Sequence, residues 1–333
     1  MAGVVGIGLV ALDVVVDERS DERLGAWAGG SCGNVLAILS WLDWDAAPVA
    51  RLADDPNGEA VRADLERFRV DTRWLTLGEP MPTPVYIERL SEASDGTVRH
   101  SFDRFCPSCR GRLPGYQPVT RGSLGPVLEA LGDWDVLYID RPSAAAVTLA
   151  QEARDLGKLV FFEPSGRRVD RHMSAIAACA DIVKYSHDRL TRGDRALIAD
   201  AAPLVEIETL GAAGLRFRTS AQWHSLQPLR VAARDSAGAG DWTTAGILHG
   251  LRRHGLSAEG LPVEDIRAVL SFAQALGAWS CRFRAPRGAM EGHTSRQATA
   301  AAHALLRGSP HGSRWRRGVK TSASTRWTCS TCG

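Results

Sequence analysis

The run Asp235-Ser-Ala-Gly-Ala-Gly-Asp241 gathers the residue types that chemistry on an anionic group needs. Small residues from Ser236 to Gly240 let backbone N–H groups converge on one concave spot and let a ligand come close. A helical pattern follows at once, with Ala245, Leu248 and Leu251 on one face and Gly255 where a helix would end. Gly246 and Gly250, four apart, predict close packing of that helix against a neighbour. Unpaired amides and the helix dipole together favour negative charge at such a start. Asp241, on the first turn, is placed to orient a hydroxyl and accept its proton, while the Gly238, Ala239, Gly240 and Asp241 backbone cradles phosphate charge. Taken alone, a Gly-x-Gly-Asp string reads equally well as a tight turn capped by an Asp.

The elements that must hold this turn are those of a large α/β unit. The 333 residues, 44% of them hydrophobic, suffice for a sizeable core. A net charge of +2 argues for no charged partner, although the six basic residues and no acids from Arg307 onward make a basic tail on a mildly acidic body. The apolar start carries Asp13 and no basic leader, which reads as a strand and not a signal peptide. No run is long and uncharged enough to span a membrane. Seven cysteines are a poor disulfide framework for so long a chain, so the expected compartment is the cytoplasm.

In order along the chain, Val4–Val16 is expected to be one central strand with Asp13 near its end. Gly29-Gly30-Ser31-Cys32-Gly33-Asn34 is a second flexible turn before a helix from Val35 to Trp41. Its glycines admit a polyol to the backbone, and the Asn34 amide both donates and accepts. Val49–Leu52 reads as a strand, with a helix from Glu59. Thr83–Leu90 and Thr97–Phe102 alternate about Ser94-Asp95-Gly96 as a hairpin. Strands are expected at Val136–Ile139 and Leu159–Phe162, with helices at Leu124–Leu131 and Ala144–Leu156. Ligands of parallel sheets sit at the carboxyl ends of strands, which makes Asp140 and Arg141 candidate substrate contacts, or else a plain surface pair before Pro142. Leu204–Thr209, the turn Gly211–Gly214 and the segment after it form strand, glycine turn and strand. Helices at Asp265–Trp279 and Ala298–Leu306 close the pattern. Alternating strands and helices predict a three-layer α/β sandwich on a mainly parallel central sheet.

Two cysteine pairs stand apart. Cys106-Pro-Ser-Cys109 and Cys329-Ser-Thr-Cys332 each suit two thiolates aimed at one ion, and together they would complete a tetrahedral zinc site. The alternative is two unrelated reduced pairs, the second on a frayed tail. Trp315 and Trp327 among the tail arginines do not amount to a nucleic-acid module.

The string from Asp235 to the Ala245-Gly246 pair resembles the C-terminal signature of the ribokinase-like (PfkB) carbohydrate kinases, Asp-Thr-x-Gly-Ala-Gly-Asp, with Ser236 for Thr and Trp242 for a common Ala. Gly29, Gly30 and Asn34 match the family's Gly-Gly-x-x-x-Asn. The resemblance covers about residues 4–306 and implies a kinase domain over 1–306, with a small β lid drawn from about 10–30 and 80–112, followed by the tail 307–333. It implies ATP and Mg2+ as cofactors, a sugar-like hydroxyl as acceptor, and Asp241 as catalytic base beside the Gly238–Asp241 anion hole. Asp13, Gly29, Gly30 and Asn34 would bind the acceptor, joined by Asp140 and Arg141. Lys184, Thr209, Gly211, Gly214, Asp235 and Gln274 would face the nucleotide. Glu163, Ser165 and Arg167 replace the family's Asp-x-Asn-x-Arg. Ser186 and Arg189 replace the Asn and Glu that organise magnesium and phosphate, leaving Asp188, another carboxylate or ATP itself to hold the ion. A nucleoside kinase and a sugar- or nucleotide-binding protein without turnover are the alternatives. Ordinary members lack the four cysteines. An exposed lid edge would pair with a second copy of the chain.

Overall fold

The fold is known from a computed structural model, which describes residues 1–78, 81–92, 98–165, 171–308, 328, 329 and 332. In chain order the elements are β1 (Gly3–Ile7), β2 (Ala11–Asp17), β3 (Arg23–Gly29), α1 (Ser31–Trp41), β4 (Asp45–Val49), α2 (Pro56–Arg67), β5 (Val85–Glu92), β6 (Val98–Asp103), α3 (Gly125–Ala130) and β7 (Val136–Ile139). They continue as α4 (Ala144–Asp155), β8 (Leu159–Phe162), α5 (Met173–Ala177), β9 (Ile182–Ser186), α6 (Arg192–Ala201), β10 (Val205–Thr209), β11 (Leu215–Arg218), β12 (His224–Leu226), α7 (Ala239–Leu251), α8 (Val263–Ser280) and α9 (Ser295–Leu306).

One eight-stranded sheet runs β12-β11-β10-β9-β8-β7-β1-β4. It is parallel from β10 to β4, with β11 and β12 antiparallel at the edge. Its strands β1, β7 and β8 are apolar on both faces, as buried parallel strands must be. Val4, Tyr138 and Phe161 pack to one side with α1, α2, α7, α8 and α9. Val5, Leu137 and Val160 pack to the other with α3 to α6. This is the three-layer sandwich. The lid is the separate sheet β3-β2-β5-β6, in which β2 and β5 are parallel and the outer pairs antiparallel. The hairpin turn Ser94–Gly96 lies outside the described residues, as do Arg167, Trp315 and Trp327. Among the described residues no helix is long and apolar enough to cross a membrane.

Two strand expectations need correction. Val4–Val16 is two strands in two sheets. The chain leaves the main sheet at Gly8, where a Cβ would lie 1.5 Å from Asp140 Oδ1. The same carboxylate accepts the Leu9 N–H at 2.8 Å, so a buried acid fixes the turn that composition does not reveal. Asp13 therefore sits inside β2 and not at a strand end. The strand read from Val49 is Asp45–Val49, because its register on β1 starts at Gly3 opposite Asp45. The glycines of α7 do bring helices together. A Cβ on Gly246 would stand 2.7 Å from Ala273 Cα, and one on Gly250 would stand 3.1 Å from a Val269 methyl.

Candidate active site

Helix α7 begins without the side-chain cap that four other helices carry. Helices α2, α4, α6 and α9 each have a side chain that accepts from a first-turn N–H, whether Asp55, Ser143, Thr191 or Thr294. At α7 the cap position is Gly238, with φ 73° and no side-chain cap. A Cβ there would meet Pro286 Cα at 2.7 Å. The Ala239 N–H is used on the Ser236 carbonyl at 3.2 Å. Gly240 is exposed, and its amide and that of Asp241 have no hydrogen-bond partner among the described residues. Asp235 is buried below, its two oxygens accepting the Ala237 and Ala285 N–H groups at 2.8 Å each. Trp242, fully buried, donates its indole N–H to the Pro286 carbonyl at 2.8 Å and meets Trp41 and Trp279 edge-on at 5.7 and 5.6 Å. The turn is thus locked from beneath while its outward amides stay uncommitted, which is the arrangement an anion requires.

Asp241, half-buried on the first turn, accepts from Asn34 Nδ2 at 2.9 Å through Oδ2. The Asn34 carbonyl oxygen, buried, has no partner among the described residues. Behind Asp241 lies a charge pair, Lys184 Nζ on Glu163 Oε1. The other Glu163 oxygen accepts from Thr244 at 2.5 Å and from the Tyr138 hydroxyl at 3.2 Å. Lys184 is buried, with its ammonium 3.8 Å from where a Gly240 Cβ would be, so a positive charge underlies the amides. Burial and then the Glu163 charge push the Asp241 carboxyl up to about 8, against the lowering by Asn34 and Lys184. A base poised near neutrality is efficient at proton transfer.

The lid adds a second polar corner. Asp13 is buried and pushed up to about 7 by burial, opposed by the Gly30 amide, which donates to Oδ2 at 3.4 Å, and by Arg287. A Cβ at Gly29 would sit 1.8 Å from Asp13 Oδ2, and Gly30, at φ 78°, would drive one to 2.4 Å from the Leu9 carbonyl. Both glycines are needed for the chain to pass under the acid. Glu88 shares this corner and was not singled out by the sequence. Its burial is complete, neither oxygen has a partner among the described residues, and burial followed by the Asp13 charge raises it to about 8. Its signal was available in the alternation of β5, which places it on the face of Tyr86, itself opposite Asp13. Asp140 is taken up by the Leu9 amide and by Arg141 Nη1 at 3.1 Å, with burial lifting it to about 6. It builds the corner, and Arg141 alone of the two is partly exposed.

On the other flank, Thr209 ends β10, and the turn to β11 uses Gly211 at φ 59° and Gly214 at φ 96°. A Cβ on Gly214 would lie 2.3 Å from the Leu226 carbonyl. Gln274 on α8 donates to the Gln227 carbonyl at 2.8 Å, and its own buried carbonyl oxygen has no partner among the described residues. Of the other two residues assigned to the nucleotide, Lys184 underlies the Gly240 amide and Asp235 anchors the turn before it. For a magnesium ion the residues offer a hard oxygen donor. Ser186 donates to Asp188 Oδ1 at 2.5 Å, which holds that exposed carboxyl below its ordinary value. Asp188 with the Ser186 hydroxyl therefore suits the hydrated way magnesium binds.

The buried acids make stability fall with pH. Asp13, Glu88 and Asp241, raised to about 7, 8 and 8, keep protons in the folded chain that the unfolded chain has already released. A folded-state value above the unfolded one contributes stability at low pH that is lost as pH rises through it. His249, pushed down from 6.5 to about 4 by burial, works the other way, but only below 6.5. The thermal midpoint of the ligand-free protein is therefore expected to drop between roughly pH 6.5 and 8.5. Melting curves across that window check this, and a flat or rising midpoint contradicts it.

Comparison with known proteins bears on this geometry. Residues 127–291 match the family model described as pfkB family carbohydrate kinase. A fructokinase from Escherichia coli is 29% identical over 294 residues, covering 80% of this chain and 90% of that protein. An ATP-dependent ribose-1-phosphate kinase from Halopiger xanaduensis is 29% identical over 280 residues, covering 78% and 81%. Among solved structures, ribokinase from Arabidopsis thaliana, complexed with ribose and ATP, superposes with a TM-score of 0.65 at 16% identity, covering 91% of this chain and 99% of that one. An uncharacterized sugar kinase from Pyrococcus horikoshii in complex with ATP gives 0.67 at 18% identity, covering 91% and 100%. The chain carries a pfkB family carbohydrate kinase domain, a phosphotransferase whose acceptor is a hydroxyl group.

Proposed function

We propose that the protein transfers the γ-phosphoryl group of ATP to a hydroxyl of a free or phosphorylated sugar, with Asp241 as general base and the backbone from Gly238 to Asp241 as anion hole. The observation that carries this is the pairing of Asp241 with Asn34 beside the uncapped start of α7, above the Lys184 ammonium. The acceptor sits between Asp13, Asn34, Glu88 and Arg141. The orphaned Asn34 oxygen accepts one of its hydroxyl protons and the neutral Glu88 carboxyl donates to one of its oxygens. The acceptor oxygen attacks the γ-phosphorus in line, its proton passes to Asp241, and ADP leaves with the broken bond's electrons. ATP lies along Thr209, Gly211, Gly214 and Gln274, whose orphaned oxygen suits an amino group on the base. Magnesium, when bound, neutralises the phosphate charge, with Asp188 and the Ser186 hydroxyl holding it. The kinase domain on this reading is residues 1–306, and zinc takes no part in the transfer. Exposed Leu24 and Phe102 on the outer lid strands support pairing with a second copy.

ADP release measured with fructose, ribose, ribose 1-phosphate and nucleosides tests the proposal and separates sugar from nucleoside kinase. Ligand-dependent melting shifts without turnover on any acceptor would instead favour a binding protein. Glu88 gives a sharper check. Glu88→Leu removes one buried hydrogen-bonding group that has no protein partner, so the fold keeps or gains stability. Loss of its bond to the acceptor raises the acceptor KM by about 10- to 100-fold and changes kcat little. Steady-state kinetics with the acceptor varied decide, and a KM that moves less than about twofold removes Glu88 from the pocket.

A further inference from the structure

The four cysteines outside the kinase chemistry converge. Cys106, Cys109, Cys329 and Cys332 place their sulfurs within 4.8 Å of one another, though more than two hundred residues of chain separate the pairs. The Cys106–Cys332 and Cys109–Cys329 sulfurs are 3.9 and 3.7 Å apart. Four thiolates at the Zn–S distance of 2.3 Å on a tetrahedron stand about 3.8 Å apart, whereas a disulfide requires about 2.05 Å.

The first pair is preformed. Phe105 bridges Arg112, the Cys106 amide donates to the Gly111 carbonyl at 2.9 Å, and the Arg110 amide returns to the Cys106 carbonyl at 2.9 Å. Arg110 accepts a left-handed φ of 61° to make the turn. The Gly111 amide then points at Cys109 Sγ at 3.4 Å, a donor of the kind that supports a thiolate bound to metal. The second pair is held in place by a different contact. Asn57, on the first turn of α2, donates to the Thr328 carbonyl and accepts its N–H, both at 3.0 Å. Cys106 and Cys329 are buried, while Cys109 and Cys332 are exposed.

We infer that these four thiolates bind one structural zinc ion that fastens the C-terminal end of the chain to the root of the lid. The site closes on all four positions, so it has no open position for catalysis. Its place explains its use. The segment leaving the cysteine loop hydrogen-bonds back to the lid, Leu113 N–H to the Arg104 carbonyl at 2.8 Å and Val85 N–H to the Pro114 carbonyl at 3.0 Å. Two residues further on, Tyr116 is half-buried near Asp140, Arg141 and Cys32, where the acceptor corner lies. On the tail's side, Asp55 at the head of α2 accepts the Thr83 N–H at 3.1 Å, at the entry to β5. A metal at the cysteines therefore ties both roots of the lid to one point. The inference does not rest on the kinase reading, because metal content is independent of turnover.

The test is elemental analysis of the full chain, purified with reductant and passed through a chelating resin. About one zinc ion per chain is expected, and exchange with Co2+ is expected to give the intense absorption of a tetrahedral thiolate site. Cys332→Ser and Cys109→Ser change exposed positions and leave the core intact. Each is expected to cut retained zinc at least about tenfold, since a structural site needs its full ligand set. Chelation at higher strength lowers the thermal midpoint of the wild type and leaves that of Cys332→Ser where it was. Wild-type protein free of metal, iron in place of zinc, or four cysteines found as two disulfides by mass spectrometry after alkylation would each overturn the inference. Undiminished zinc in both serine variants would do the same.

Discussion

Asp241→Asn lowers kcat by about 10²–10⁴ and leaves ATP affinity nearly unchanged, the scale of a lost general base. The amide keeps the shape of the carboxyl and still bonds Asn34, so the start of α7 is undisturbed. What disappears is a site for the acceptor proton. The uncapped amides and Lys184 remain, which leaves phosphate binding intact. Turnover by ADP release together with ATP binding by calorimetry checks both halves. Unchanged turnover would remove Asp241 from the role, and lost ATP binding would make it a binding residue.

Lys184→Met has the second large effect, and it acts on stability and on pH dependence together. Lys184 is buried, and its partner Glu163 sits beside Asp241. Removing one member of a buried pair leaves the other charge uncompensated, at a cost of about 3–5 kcal/mol, so the thermal midpoint falls by several degrees. The Lys184 charge also lowers the Asp241 carboxyl while Glu163 raises it. Without the lysine, the acid limb of the kcat/KM profile moves to higher pH. Lys184→Arg keeps the charge and is expected to keep that limb closer to the wild type. A melting curve and a pH–rate profile on each variant suffice. A stable Lys184→Met protein with an unmoved acid limb contradicts this account of the site.

The elements that position Asp241 were legible because their signals are local. Glycines at 238 and 240, followed by apolar residues at helical spacing, mark a turn that opens a helix, and α7 is there. The strands at Val136–Ile139 and Leu159–Phe162 fall where apolar runs predict them, since both their faces are buried. The break between β1 and β2 was illegible because its cause is Asp140, more than 130 residues away. Glu88 is illegible in the sequence for a related reason. An acid in an alternating strand usually faces water, and only the fold of the lid turns that face inward. The cysteine pairs were legible as two half-sites. Their meeting depends on the two-bond contact of Asn57 with Thr328, which no spacing announces.

The central claim is that Asp241 and the amides before it act on one acceptor hydroxyl and one phosphate. A crystal structure with the acceptor and a non-hydrolysable ATP analogue tests it most directly. The account predicts the reacting hydroxyl within about 2.6–3.2 Å of an Asp241 carboxyl oxygen, with the γ-phosphate at the Gly240 and Asp241 amides. A γ-phosphate bound away from the start of α7, or an acceptor with no hydroxyl in reach of Asp241, would contradict it.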